Sequence, residues 1–283
     1  MVRSQRGFTL VEAIVALTIS SLLVILVSTV FLAQNRYYAL QLQRSRAHDS
    51  ARTVTELVSS ELRSVMRGGF VVAESDRMVV RSPMILAVVC DVLPGDRVVV
   101  HLEGGVAALD TDEVAGFAIR DAGTSQWSYY DIPDWTTILQ PGGQPQRDCA
   151  ANGADTVGIS DEFERLWRLD EYAPALPVLG DVLMLYREVE YRYQQSEMDP
   201  SGIGLFRGVY GETLQELVTG MDSTAEFRYR AGSPSYVAPV GGPSLSSIDA
   251  VRLVAWSRQR PETGGQQDLT FGWSVNVFLR NSR

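Results

Sequence analysis

The pattern of hydrophobic positions divides the chain into two parts with different periods. Residues 13–33 form an almost uninterrupted apolar run, and neither Gly nor Pro occurs between residues 8 and 67. Such a stretch permits one unbroken helix of about 60 residues, roughly 90 Å long. Because about 20 consecutive apolar residues span a membrane, we expect residues 8–33 to form a transmembrane helix.

Polar residues end the apolar run at Gln34, and from there the hydrophobic positions follow a helical period. The apolar residues that recur at spacings of three, four or seven are Leu40, Ala47, Ala51, Val54, Val58, Leu62 and Val65. This stripe predicts that residues 34–67 continue the helix as an amphipathic segment and bury one face. Gly68 and Gly69 follow, and Gly tolerates the left-handed conformation that commonly ends a helix.

Beyond Gly69 the period becomes that of strands. Short β-rich runs cover residues 70–73, 78–81, 85–90, 97–102, 114–119 and 126–130. Longer runs cover residues 181–194, 204–209, 225–230, 249–257 and 269–279, and residues 258–267 suit a hairpin connection. We therefore predict an α+β fold, in which the long N-terminal helix packs on an antiparallel β-rich domain at residues 70–283.

Two segments of the β-rich part lack a strand pattern. Residues 141–155 are rich in Pro, Gly and polar residues, which predicts a long exposed loop or a boundary between subdomains. Residues 161–170 have helix-compatible side chains after a Ser-Asp pair that can cap, so they predict a short helix.

Charge and motifs exclude several classes of function. A net charge of -9 argues against a general nucleic-acid or acidic-membrane surface. No nucleophile elbow, phosphate loop or metalloprotease helix occurs in the sequence. These observations predict a protein that is not an enzyme and has no cofactor.

One acidic cluster, Asp110, Asp112 and Glu113, is a weak candidate for a calcium site. Hard cations take several oxygen ligands, and alternating carboxylates can supply them. The Gly and the terminal Glu of an EF-hand loop do not occur at the required offsets. A solvated turn is therefore the favoured interpretation, and no metal is expected.

The chain has two cysteines, Cys90 and Cys149. Both follow the apolar segment, whose N-terminal side carries Arg3 and Arg6, so the positive-inside rule places them outside the cytoplasm. An even number of cysteines in an oxidising compartment predicts a disulfide between them.

The segment Gly7-Phe8-Thr9-Leu10-Val11-Glu12 stands at the start of the apolar run, after a short basic leader. A charged group at the centre of a lone spanning helix costs roughly 2.5–3.5 kcal/mol, so Glu12 calls for a nearby cation. A secretory signal peptide has a shorter apolar core than this and ends at a small-residue site. A plain signal anchor with a stray Glu is the other alternative.

This segment closely resembles the class III signal of type IV pilins and type II secretion pseudopilins. The resemblance implies that a prepilin peptidase removes residues 1–7 by cutting between Gly7 and Phe8, and that the Phe8 amine is then methylated. It also implies that Glu12 pairs with the Phe8 ammonium of an adjacent subunit during assembly. The expected location is the inner membrane, with the leader cytoplasmic and the C-terminal domain extracytoplasmic, and then the filament.

The downstream sequence resembles minor subunits of the PilW and PulJ type at residues 213–221, 227–229 and 248–254. This resemblance implies a minor pilin or pseudopilin in the initiation or tip complex, whose partners are the peptidase, other pilin subunits, the assembly platform and membrane lipid. Two alternatives stay open: a membrane-anchored extracytoplasmic binding protein, and a pilus-borne adhesin or DNA-capture subunit.

Overall fold

The structure is a computed structural model that describes residues 9–93, 97–102, 113–120, 127–131, 166–169, 179–259 and 269–279. Helix α1 spans Leu10–Ser64. The strands are β1 Phe70–Ala73, β2 Arg77–Leu93, β3 Arg97–Leu102, β4 Gly116–Arg120, β5 Trp127–Asp131, β6 Leu166–Leu169, β7 Val182–Gln195, β8 Ile203–Val209, β9 Gln215–Met221, β10 Glu226–Ala231, β11 Ile248–Gln259 and β12 Leu269–Phe278. A 3-10 helix at Gly242–Ser247 precedes β11.

Helix α1 runs for 55 residues without a break, as the absence of Gly and Pro predicts. It ends at Ser64, shortly before the predicted end at residue 67, because Val65 adopts an extended conformation and its N–H bonds to the Leu62 carbonyl. Gly68 then adopts a φ of 84°, a left-handed conformation in which a side chain would be strained. The chain turns there and enters β1.

The twelve strands that the structure describes belong to one sheet, in which each pair of neighbours is antiparallel. The main order is β10-β11-β9-β8-β7-β2-β3-β6. Backbone hydrogen bonds also link the β1–β2 hairpin to β10 and to the segment after β10, since Phe227 N–H donates to Ser75 O and Val240 N–H donates to Ala73 O. Val237 bridges in turn to Tyr229 of β10, so residues 237–240 are hydrogen-bonded to both β10 and the end of β1.

One of the two central strands, β2, is longer than the sequence predicts. Residues 78–81 and 85–90 were expected to form two strands separated at Pro83, but β2 is one strand of 17 residues. The register with β7 shifts between Pro83 and Ile85. This bulge accommodates the proline, which has no N–H to donate to the ladder, without ending the strand.

One other prediction fails in the described part of the chain, and one strand was not predicted. Residues 166–169, predicted to be helical, form strand β6, which pairs antiparallel with β3. Residues 215–221 were not predicted as a strand, yet they form β9 between β8 and β11. In both cases a neighbouring strand supplies the hydrogen bonds, and tertiary pairing overrides a weak local preference.

The main core lies between the second half of α1 and one face of the sheet. From the helix it contains Val54, Val58 and Leu62, and from the strands it contains residues such as Tyr191, Phe227 and Val277. A smaller cluster around Leu185 and Phe117 fills the other end of β7. A long helix packed on an antiparallel sheet confirms the predicted α+β class.

Candidate assembly site

The first half of α1 is apolar, and the described part of the chain does not cover it. Residues Leu10–Leu42 form a candidate membrane span of 33 residues, and none of its most apolar window is buried in the protein. About 20 residues suffice to cross the hydrocarbon core of a bilayer. Exposure of such a large apolar surface to water is unfavourable. A lipid bilayer or the apolar surfaces of other helices must therefore cover this part of α1.

Thr9 and Glu12 cap the N-terminal end of this span. The Thr9 hydroxyl oxygen accepts a hydrogen bond from the Glu12 backbone N–H at 3.3 Å, and the hydroxyl donates to Glu12 Oε2 at 3.5 Å. Thr-x-x-Glu is the spacing of a capping box, but here the Glu12 carboxylate accepts from the Thr9 hydroxyl, and only the Thr9 half of that motif is formed. This signal is present in the sequence and was not used in predicting the helix start. Glu12 itself is exposed. Gly7 and Phe8 lie outside the described residues.

The second half of α1 packs on the sheet through the predicted stripe. Val54, Val58, Leu62 and Val65 are all at most 1% exposed. Leu40, further up the stripe, is half-buried, whereas the side chains of Ala47 and Ala51 lie outside what the structure describes. The helix is therefore held on the β domain by its C-terminal end while its apolar end extends away from the domain's core.

A polar contact that the sequence did not indicate joins α1 to two strands. Arg207 of β8 donates two hydrogen bonds to the Glu61 carboxylate, at 2.9 Å from Nε and 2.8 Å from Nη2. The Tyr191 hydroxyl of β7 donates a third. Glu61 is next to Leu62 of the buried stripe. Its partners Tyr191 and Arg207 are 130 and 146 residues away in the sequence.

This contact fixes the charge state of Glu61. Burial alone would raise the pKa of the carboxyl, but the hydrogen bonds from Arg207 and Tyr191, together with the Arg207 charge, lower the pKa below its usual value. The same contact raises the pKa of Arg207. A bidentate guanidinium–carboxylate pair fixes geometry as well as charge, so it sets how α1 lies on the sheet.

Only some of the remaining predicted site residues lie in the described part of the chain, and no free cysteine occurs there. Cys90 is a buried residue of β2, 4% exposed, and Cys149 lies outside the described residues. Asp110 and Asp112 also lie outside them, while Glu113 forms an ion pair with Arg187. No group of three or more His, Cys, Asp or Glu side chains suited to a metal ion occurs among the residues that the structure describes.

Comparison with known proteins gives one match. Residues 2–28 match the family model of the prokaryotic N-terminal methylation motif. Neither the curated proteins nor the solved structures compared with the chain gave a match. The matched segment contains Gly7, Phe8 and Glu12 and the first part of the exposed apolar helix. It supports the type IV pilin and pseudopilin class, with processing by prepilin peptidase and anchoring in the membrane through the N-terminus.

Proposed function

We propose that this chain is a minor pilin or pseudopilin, a structural subunit of a type IV pilus or a type II secretion pseudopilus. The observation that carries the proposal is the division of α1 into two halves. One half is a membrane-length apolar surface that nothing in the described chain covers, and the other is packed and hydrogen-bonded onto a β domain. A subunit built in this way can leave the bilayer and bury the same surface among the helices of its neighbours.

The methylation motif supports the first step of this assembly. The peptidase cuts between Gly7 and Phe8, residues 1–7 stay on the cytoplasmic side, and the new Phe8 amine is methylated. Residues 8–33 then form the filament-core helix, residues 34–67 its amphipathic continuation, and residues 70–283 the extracytoplasmic domain. Glu12 pairs with the Phe8 ammonium of an adjacent subunit, which neutralises two charges in an apolar surrounding.

Two features support a minor rank, within an initiation or tip complex. The β domain is large for a subunit that must tile a shaft densely. Helix α1 is unbroken over Leu10–Ser64 and contains neither Pro nor Gly, which are the residues that let a helix kink or unwind on packing. Because Glu12 is present, the chain has the charge needed to join a neighbouring subunit. We therefore place it just below the extreme tip.

Mass spectrometry of purified filaments tests the proposal. We expect a mature chain that begins at N-methylated Phe8 and that is present at a small fraction of the most abundant pilin-like subunit. A mature start at or beyond Gln34, or retention of the leader, would favour a membrane-anchored binding protein instead. An abundance equal to or above that of every other subunit would contradict the minor rank while leaving the pilin assignment intact.

A further inference from the structure

The outer face of β10, β11 and β12 carries a groove of about 640 Å³ that assembly through α1 does not use. Val251 and Leu253 of β11 point into the core that α1 covers, so the alternate residues of that strand lie on the opposite face. The polar and aromatic residues that line the groove are Thr224, Glu226, Arg228, Arg252, Trp256 and Ser274.

Trp256 forms the aromatic wall of this groove. It pairs with Gly272 across β11 and β12, and its ring lies directly on that glycine. A Cβ added at Gly272 would be 2.2 Å from the Trp256 Cζ3 atom, so only glycine leaves room for the ring. The residue is still 42% exposed, so part of its ring is open to solvent.

The charges of the groove are incompletely balanced. Arg228 and Arg252 are directly opposite each other on β10 and β11, and like charges at opposed positions destabilise a sheet. Arg228 pairs with Glu226, at 2.6 Å between Nε and Oε1. Arg252 lies over the Tyr236 ring at 4.1 Å and donates to Asn276 Oδ1 at 2.8 Å, and within the described chain it forms no ion pair with a carboxylate.

We propose that this groove binds a glycan that contains carboxylated pyranose residues, that is, hexuronates. The flat C–H face of a pyranose packs on the open face of the Trp256 indole. Its carboxylate is recognised by the Arg252 guanidinium, which relieves the repulsion between the two opposed arginines. Its hydroxyls bond to the Thr224 and Ser274 hydroxyls and donate to the Glu226 carboxylate.

Glu226 distinguishes this ligand from a nucleic acid. A sugar ring brings several hydroxyl donors to a carboxylate, whereas a phosphate backbone brings mainly acceptors and negative charge. The site does not depend on the proposed assembly role, because the β domain carries it.

Calorimetric titration of the full-length protein in detergent micelles tests the inference, with trigalacturonate as the probe and maltotriose as its neutral counterpart. We expect saturable binding of trigalacturonate and at least about tenfold weaker binding of maltotriose, which lacks the carboxylates. Trp256→Ala and Arg252→Gln should each weaken trigalacturonate binding by about tenfold or more. Gly272→Ala should also weaken trigalacturonate binding, because the added methyl group displaces the Trp256 indole. This variant leaves unchanged every residue that is proposed to contact the ligand.

Arg120→Gln is the matched control. It removes the same charge from an exposed position on β4 and should leave the affinity for trigalacturonate unchanged. Near-UV circular dichroism checks that each variant is folded, and Trp256→Phe, which keeps a smaller ring, replaces Trp256→Ala if the latter does not fold. The inference is overturned if trigalacturonate does not bind saturably, if maltotriose binds equally well, or if the Trp256 and Arg252 variants bind as well as the parent. Binding of an oligothymidylate that depends on Trp256, without binding of trigalacturonate, also overturns it.

Discussion

At the scale of single residues, Glu61 makes a polar contact that ties α1 to the sheet. Its carboxylate accepts hydrogen bonds from Arg207 and Tyr191 on two different strands. We expect Glu61→Gln to lower the free energy of unfolding of the β domain by about 2 kcal/mol at pH 7. The reason is that hydrogen bonds to a charged carboxylate contribute more than hydrogen bonds to a neutral amide. Urea unfolding, followed by tryptophan fluorescence in detergent, measures this.

The same contact predicts how stability depends on pH. The pKa of Glu61 is lower in the folded chain than its usual value of 4.5, so the contribution is complete above about pH 4.5 and is lost as the pH falls through the folded value. The difference between Glu61→Gln and the parent should therefore shrink as the pH is lowered from 7 to 3. Glu56→Gln, which removes an exposed ion pair with Arg52 on the same helix, is the control and should have no measurable effect. A difference that stays constant over this range would contradict the linkage.

Tyr193 presents the opposite case, a buried hydroxyl without a hydrogen bond. The side chain stacks on Phe227 at 4.6 Å between ring centroids, and its hydroxyl has no partner in the described structure. Since an unpaired buried polar group is costly, Tyr193→Phe should leave the free energy of unfolding unchanged or raise it by about 1 kcal/mol.

Tyr229→Phe is the matched control for that substitution. The Tyr229 hydroxyl is in the same core and donates to the Glu74 carbonyl oxygen at 2.8 Å. Its removal should cost about 1 kcal/mol, measured by the same urea unfolding. Equal losses for the two substitutions would show that the Tyr193 hydroxyl has a bonding partner in solution.

At the scale of elements, the second half of α1 is part of the β domain's core. Leu62 is fully buried among strand residues, whereas Leu57 on the same helix is 41% exposed. Leu62→Ala should therefore destabilise the domain by about 3 kcal/mol, and Leu57→Ala by less than about 1 kcal/mol. Thermal unfolding of the two variants, side by side, measures the contrast. Similar losses would mean that the helix packs on the sheet in another rotation.

At the scale of the whole molecule, Glu12 has two roles that can be separated. In the isolated chain it belongs to the N-terminal cap of α1 with Thr9, and in the proposed filament its charge pairs with the Phe8 ammonium of a neighbour. Glu12→Gln keeps a hydrogen-bonding side chain but removes the charge. The variant should insert into the membrane at the normal level and fail to enter filaments, as quantified by mass spectrometry of both fractions.

Glu12→Asp is the informative control for this experiment, because it keeps the charge on a shorter side chain. It should enter filaments better than Glu12→Gln. Normal incorporation of Glu12→Gln would contradict a role for the charge in assembly.

A disulfide between Cys90 and Cys149 remains a prediction about the covalent structure. It would close a loop of about 60 residues and contribute roughly 4 kcal/mol in the chain-entropy model. Because Cys90 is buried in the folded protein, alkylation must be done in denaturant, on protein taken from its native compartment. Without reductant we expect no alkylated thiol, and with reductant two. Two alkylated thiols without reductant would rule the bridge out.

The sequence by itself determined the features that depend on neighbouring residues along the chain. The long helix follows from the absence of Gly and Pro, its membrane half from an unbroken apolar run, and its packed face from the spacing of Val54, Val58 and Leu62. Most strands were also predicted to within a few residues, including β1 and β3 with identical bounds. Each of these patterns depends on residues that lie close together in the sequence, so it can be recognised without the tertiary structure.

Only the tertiary structure decided which distant residues meet. Residues 166–169 become a strand because β3 offers an edge, and Pro83 stays inside β2 because β7 pairs along both sides of the bulge. Arg207 reaches Glu61 across 146 residues, and the groove forms where register places Trp256 on Gly272 and Arg252 opposite Arg228. Strand order and register set these contacts, and because they are pairings between distant segments, no local periodicity along the chain specifies them.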